Sequence, residues 1–115
     1  MRLPGIEKAE VSETKIVKYL LSTTHRAGKS KAAFFIEFGF DPQKWKELDR
    51  ALRQHAMDNE IARQEQTMFG TRYIIEGSLK APDGRSLNVR TAWFIDNESD
   101  IPRFITAHPL RRRRL

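Results

Sequence analysis

The sequence predicts an α+β protein, with N-terminal helices packed on one face of a four-stranded, mainly antiparallel sheet. Two observations predict this class. Before residue 60, apolar residues recur at spacings of three and four, which is typical of amphipathic helices. After residue 60 the period changes to two, and short turn sequences separate the alternating stretches. Because the helices come first and the strands later, the sequence favours a layer of helices on an antiparallel sheet. Alternating helices and strands would instead favour a parallel sheet.

Three segments carry helix signals. In "VSETKIVKYLLST", Ser12 is a good N-cap and apolar residues follow at a spacing of four. "KSKAAFFIEFGF" indicates a short helix that ends at Gly39. "DPQKWKELDRALRQHAM" is the clearest helix, because Asp41 caps it and Pro42 occupies its first position.

The strands follow in order. "EIARQEQT" suits an edge strand, and "TRYIIEGSLKA" and "SLNVRTAWFID" form a hairpin around the turn "APDGR". "PRFITAHP" is the last strand, with Pro102 at its start and Pro109 at its end. We expect a single α+β domain over residues 1–110 and a basic C-terminal tail over 111–115. The predicted core comprises Leu20, Phe34, Trp45, Leu48, Leu52, Ile75 and Val89.

The composition narrows the function class. The chain has 115 residues, no cysteine and a net charge of +6. Without cysteine there is no disulfide and no thiol catalysis, which fits a reducing compartment, so we expect a cytoplasmic protein without a membrane segment. The tail Arg111–Arg114 supplies four of the six net charges, so residues 1–110 are only mildly basic. A polyanion such as RNA is a plausible partner.

The sequence contains no motif typical of a metal site or of a nucleotide-triphosphate site. The sequence contains no HExxH, CxxC or DxD, and its acidic residues are scattered. Gly28, Lys29 and Ser30 resemble the end of a P-loop, but Thr23 stands where the first glycine is needed and no strand precedes the loop. We therefore predict no metal and no cofactor.

The three histidines have different surroundings. His55 lies in the apolar stripe of the third helix, which favours a buried, hydrogen-bonded histidine. His25 lies in the polar loop "THRAGKSK", where nearby cations favour a neutral imidazole suited to general-base catalysis; the alternative is an ordinary surface loop. His108 follows Thr106 at the end of the last strand, where alternation puts Phe104, Thr106 and His108 on one face. Strand-end residues without a function are the alternative there.

Arg90 is a charge inside the most apolar strand, so it either faces solvent or is paired in a cleft. Alternation groups it with Arg72, Glu76 and Asn88 on one sheet face, called the open face below. This face is either a site or an ordinary solvated surface. Tyr73 and Trp93 fit core positions better than base-stacking ones.

An ordered set of motifs resembles a known family. "YLLSTTHRAGKSKAAFF", "FGTRY", "APDGR", "VRTAW" and "PRFITAHP" occur in this order over about residues 6–109. The chain is similar to an uncharacterised bacterial domain family whose typical members read "LL…HP.G..KA.FF…YG..Y…GP.GR…V.T.W…PRLVTAYP". Members stand alone or form C-terminal tips of polymorphic toxins. Two departures are His25-Arg26 in place of His-Pro, and His108 in place of the tyrosine of Ala-Tyr-Pro.

The layout of that family is similar to the barnase–EndoU–colicin–RelE group of metal-independent ribonucleases. The resemblance implies a small endoribonuclease toxin that cleaves RNA by attack of the 2′-OH on the adjacent phosphate, with a cognate antitoxin or immunity protein. His25 and His108 would share acid and base roles, Lys31 and Arg90 would hold the phosphate, and Thr106 would donate to it. The alternative is a non-catalytic RNA-binding or protein-interaction module. Convergence of these residues in one cleft would favour the enzyme.

Overall fold

The computed structural model describes residues 1–22 and 29–110, and for residues 29 and 30 it describes the backbone only. Within these ranges, three helices precede four strands, as predicted. The helices are α1 (α-helical over Glu13–Lys15 and π-helical over Ile16–Leu20), α2 (Lys29–Glu37) and α3 (Trp45–Asp58). The strands are β1 (Ile61–Gln66), β2 (Gly70–Lys80), β3 (Ser86–Asp96) and β4 (Arg103–Pro109).

Helix α1 begins as predicted and then widens. The Ser12 hydroxyl accepts a hydrogen bond from the backbone N–H of Lys15 at 3.3 Å, which caps the first turn. The second half is π-helical, so the N–H of Leu21 bonds the carbonyl of Ile16, five residues back, at 2.8 Å. Within this segment, Ile16 and Leu20 are buried and Tyr19 is half-buried.

Helix α3 covers one face of the sheet. The Asp41 carboxylate accepts a hydrogen bond from the N–H of Gln43 at 2.8 Å and caps the short 3₁₀ turn Pro42–Lys44, which leads into the helix. Leu48, Leu52 and Ala56 are buried along the stripe that packs over β2. Burial of this stripe fixes the orientation of the helix, because its opposite side is polar.

The sheet is an antiparallel meander in the order β1-β2-β3-β4. The turn between β2 and β3 is the predicted one: the N–H of Ala81 bonds the carbonyl of Arg85 at 2.9 Å, and Gly84 adopts φ of +90°. That angle is one that residues with a side chain rarely adopt, which explains the glycine. Because the strands lie in the order β1-β2-β3-β4, β1 and β4 are the edge strands.

The predicted core is mostly confirmed. Leu20, Leu48, Leu52, Ile75 and Val89 are buried, and Tyr73 and Trp93 join them as predicted. Phe34 and Trp45 are only half-buried and pack against the outside of the core. The next residue on α2, Phe35, takes the deep position instead, because the buried side of that helix runs through Ala32 and Phe35.

A bulge in β4 corrects one predicted alternation. Ala92 pairs with Thr106, but the neighbouring Trp93 pairs with Phe104, so Ile105 is the extra residue. Phe104 therefore turns into the core and stacks edge-on against Trp93, with ring centroids 5.4 Å apart. The expectation that Phe104 shares a face with Thr106 and His108 is wrong, whereas Thr106 and His108 do share the open face.

Candidate functional site

Lys31 joins the helices to the edge of the sheet. Its ammonium on α2 donates a hydrogen bond to the Tyr19 hydroxyl on α1 at 2.8 Å and another to the Thr106 hydroxyl on β4 at 3.2 Å. The same nitrogen lies 4.9 Å from the centre of the Tyr19 ring, within range of a cation–π interaction. We call Tyr19, Lys31 and Thr106 the Lys31 cluster. Both of these hydrogen-bond partners of the ammonium are hydroxyls and not carboxylates.

His108 extends this cluster onto the open face. It lies two residues beyond Thr106 on β4, so both side chains project from the same side of the strand. His108 stands directly opposite Arg90 on β3, and Thr106 stands opposite Ala92. The short side chain of Ala92 leaves room between the polar groups.

A groove of about 340 Å³ runs across the open face beside His108. Its polar lining consists of Arg63, Arg72, Glu76, Arg90 and His108. Ile74 and Ala92 form part of its lining and are both buried. We call it the sheet groove. Three arginines against one glutamate give it a net positive lining, which suits an anionic ligand.

The arginines of the sheet groove differ in how they are paired. Arg90 is in fact paired: its guanidinium donates to the Glu76 carboxylate at 2.6 and 2.7 Å, and these residues are cross-strand neighbours. Arg63 pairs with Glu65 at 2.5 Å. Among the residues that the structure describes, Arg72 has no carboxylate within 4 Å, so its charge is the least compensated of the three.

Two titratable groups at this site have shifted pKa values. Burial lowers the pKa of His108 below its usual 6.5, and the charges of Lys31, Arg90 and Arg72 lower it further. The hydrogen bond from Lys31 lowers the pKa of Tyr19 below its usual 10.0, and it outweighs the opposing effect of burial. The neutral form of His108 is therefore favoured at pH 7, and Tyr19 is more acidic than an ordinary phenol.

His55 lies on the other side of the sheet and belongs to the core. Its side chain is 1% exposed, and its Nε2 donates to the carbonyl of Val89 at 2.9 Å. Nδ1 lies 3.3 Å from the Thr91 hydroxyl, which also accepts a hydrogen bond from the Trp93 indole at 3.0 Å. The predicted buried and satisfied histidine is confirmed. Burial lowers its pKa, so the neutral ring is favoured.

The structure brings together four of the five residues singled out from the sequence. Lys31, Thr106, His108 and Arg90 form one continuous polar strip from α2 across β4 to β3. His25, the fifth, lies outside the described residues, so its role stays a prediction. Sequence reasoning missed Tyr19 and did not assign Arg72 to the site. The alternation of β2 already placed Arg72 on the open face, whereas Tyr19 gave no signal within an apolar helix.

Among the described residues, no group of three or more His, Cys, Asp or Glu side chains is placed to hold a metal ion. In the same part of the chain, no helix is long and apolar enough to cross a membrane.

Comparison with known proteins identifies the family. Residues 2–111 match the model of a domain of unknown function, DUF6883. The chain belongs to the DUF6883 family. No curated protein sequence matches it. Among solved structures, a chain of a contact-dependent growth inhibition toxin–immunity protein complex from Klebsiella pneumoniae 342 has a similar fold. The TM-score is 0.68 at 19% identity, covering 87% of the DUF6883 chain and 98% of the other.

Proposed function

We propose that this DUF6883 protein is a metal-independent endoribonuclease toxin that cleaves RNA by attack of a ribose 2′-OH on the adjacent phosphate. The observation that carries the proposal is the polar strip in which Lys31, Thr106, His108 and Arg90 meet beside the sheet groove. The sequence-based criterion for an enzyme is convergence of these residues together with His25, and the part of it that concerns described residues supports the enzyme. The fold likeness to a chain of a toxin–immunity complex suits a toxin and an immunity protein equally.

The chemistry follows from the groups present. Attack of the 2′-OH needs a base, and His108 serves because burial and neighbouring cations lower its pKa and keep the imidazole neutral. The phosphorane transition state gains negative charge, which Lys31 stabilises from its fixed position between two hydroxyls. Thr106 donates a hydrogen bond to a phosphate oxygen. None of these steps uses a metal ion.

Arg90 and Arg72 bind the RNA backbone. Arg90 is held by Glu76 in a fixed orientation and presents its remaining N–H groups to the groove. Arg72 offers a charge that no carboxylate within 4 Å compensates among the described residues. His25 lies outside the described residues, and the sequence predicts that it shares in proton transfer. The basic tail Arg111–Arg114 adds contacts to phosphates that do not depend on sequence.

A cytoplasmic toxin of this kind requires a neutralising partner, and we propose a cognate antitoxin or immunity protein. The solved structure with the similar fold is itself a chain of a toxin–immunity protein complex. A partner that covers the sheet groove blocks RNA and compensates the arginines with carboxylates.

A non-catalytic protein-interaction module is the second candidate, and one surface favours it. Met68 and Phe69 are 80% and 72% exposed at the turn between β1 and β2. The turn is well braced: the Thr67 hydroxyl accepts from the N–H groups of Phe69 and Gly70 at 3.1 Å, and Asn97 donates to the carbonyl of Met68 at 2.7 Å. A fixed turn with two exposed apolar side chains suits a protein partner, as in an immunity or accessory protein.

Induced expression in a bacterial host tests both candidates. If the protein is a ribonuclease toxin, we expect growth arrest together with new RNA ends, mapped by sequencing. We expect both effects to disappear in the Lys31→Met and His25→Ala variants. An immunity or accessory module expects normal growth and no new RNA ends. The Lys46→Met variant is the control, because Lys46 is exposed on α3, away from the site.

A further inference from the structure

We infer that Tyr19 is a further catalytic residue of this site, the acid that protonates the 5′-oxygen leaving group while His108 takes the proton of the 2′-OH. The inference rests on the proposed ribonuclease function and assigns its second proton-transfer group from residues that the structure describes. The sequence pattern does not point to Tyr19, since it lies among apolar residues in "KIVKYLL".

The position of the hydroxyl carries the inference. Tyr19 lies in the π-helical half of α1, half-buried at the edge of the core. Its oxygen is 2.8 Å from the Lys31 ammonium, and that ammonium is 3.2 Å from the Thr106 hydroxyl on the edge strand. A phosphate that binds Lys31 therefore lies within reach of the Tyr19 hydroxyl. His108 is two residues further along β4, so an acid and a base flank one cation.

The electrostatic surroundings of Tyr19 make it a better proton donor than an ordinary phenol. A proton donor works best when its pKa approaches the working pH, and phenols are normally too weak. The hydrogen bond from Lys31 lowers the pKa of Tyr19, and the charges of Lys31 and Lys15 add to this effect. Both lysines stabilise the tyrosinate that remains once the proton has left.

The proton and bond changes balance. The 2′-OH transfers its proton to the His108 imidazole, the bond from the 2′-oxygen to phosphorus forms, and the bond from phosphorus to the 5′-oxygen breaks. The Tyr19 hydroxyl transfers its proton to the departing 5′-oxygen. The products are a 2′,3′-cyclic phosphate, a free 5′-hydroxyl, an imidazolium and a tyrosinate. Exchange of one proton with solvent at each group restores the enzyme.

Substrates with two leaving groups test the assignment. An RNA that the wild-type protein cleaves is compared with the same RNA carrying a bridging sulfur in place of the scissile 5′-oxygen, because a thiolate leaves without protonation. Tyr19→Phe should slow cleavage of the oxygen substrate by about 10²–10⁴-fold, the usual range for a general acid, and should slow the sulfur substrate by less than about tenfold. It should also remove the alkaline limb of the pH–rate profile on the oxygen substrate.

The matched control is Tyr73→Phe, which removes the hydroxyl of a buried tyrosine on β2. Its rates on both substrates should equal those of the wild type. Equal losses of Tyr19→Phe on both substrates would overturn the inference, because they indicate that Tyr19 only positions Lys31. Full activity of Tyr19→Phe would also overturn the inference. So would a result in which the sulfur substrate restores the cleavage rate of His25→Ala but not that of Tyr19→Phe. A wild-type protein that cleaves no RNA instead refutes the ribonuclease function itself, and the inference with it.

Discussion

The Lys31 ammonium on α2 donates a 3.2 Å hydrogen bond to the Thr106 hydroxyl on β4, 75 residues further along the chain. This contact ties α2 to the last strand of the sheet. It places a half-buried cation beside Thr106, two residues along β4 from His108, which lines the sheet groove. The proposed function depends on this contact more than on any other.

Removal of the Lys31 charge should abolish most of the activity. Lys31→Met keeps most of the length of the side chain but loses the ammonium, so we expect a loss of roughly 10²–10³-fold in kcat, the range for one donor that stabilises a developing charge. The protein should remain folded, because Lys31 is half-buried at the edge of the structure. Single-turnover cleavage and a thermal melt measure both quantities. Loss of activity in the control Lys46→Met would show that the assay reports general charge and not the site.

The pH dependence of cleavage should report His108. A base must be unprotonated, and the pKa of His108 is lowered below 6.5, so the acid limb of kcat/KM should fall below that pH. Arg90 is one of the charges that lower this pKa, so Arg90→Gln should move the acid limb towards neutral pH. The pH–rate profiles of the two proteins test this. An acid limb that does not move, or one that survives in His108→Asn, would contradict the assignment.

Stability should depend on pH through His55. Its pKa in the folded protein is lowered from 6.5 by burial, so below 6.5 the unfolded state binds more protons. The contribution of neutral His55 to the free energy of unfolding is complete above pH 6.5. It is lost as the pH falls towards the pKa of His55 in the folded protein, and the free energy of unfolding then changes by up to about 1.4 kcal/mol per pH unit. Urea unfolding between pH 5 and 8, roughly the range in which histidine titrates, measures this slope.

The variant His55→Ala should reduce that slope to the part contributed by His108, whose pKa is also lowered, and should lower the stability. It removes the hydrogen bonds of His55 to the Val89 carbonyl and the Thr91 hydroxyl, which costs about 1–3 kcal/mol, and it also opens a cavity. Cleavage activity at a temperature where the variant is folded should stay near the wild-type value. A large loss of activity in a folded His55→Ala would place His55 in the site after all.

Much of the fold could be predicted from the sequence, because the relevant signals are local. Asp41 and Pro42 start α3, Gly84 marks the hairpin, and alternation sorted Glu76 and Arg90 onto the open face. The bulge at Ile105 has no such signal, so the facing of Phe104 was predicted incorrectly.

The site was predicted less completely, for a related reason. Arg90, Thr106 and His108 stand out because they are polar or charged in apolar strand sequences, and Lys31 stands out because it belongs to the cationic stretch "THRAGKSK". Tyr19 does not stand out, since a tyrosine suits the half-buried side of a helix equally well without any function. Only the three-dimensional contact with Lys31 shows where its hydroxyl lies.

The basic tail should affect affinity and not specificity. Arg111–Arg114 lie outside the described residues, and their role stays a prediction from the sequence. Deletion of these residues should weaken RNA binding nearly uniformly across sequences and reduce the salt dependence by up to about four times the 0.7 expected for each single-strand phosphate contact. Binding titrations at several salt concentrations measure the slope. An unchanged slope would assign the tail to a protein partner or to no function.

Cleavage of RNA in the presence of a chelator tests the central claim most directly. Purified protein is incubated with RNA in excess EDTA, beside Lys31→Met and the control Lys46→Met, and the ends of the products are analysed. The account predicts that the wild type and the control produce 2′,3′-cyclic phosphate and 5′-hydroxyl ends at the same rate with and without EDTA, and that Lys31→Met produces almost none. Cleavage that stops in EDTA and returns with a divalent ion, or no cleavage by the wild type between about pH 5 and 8, where histidine titrates, would contradict it.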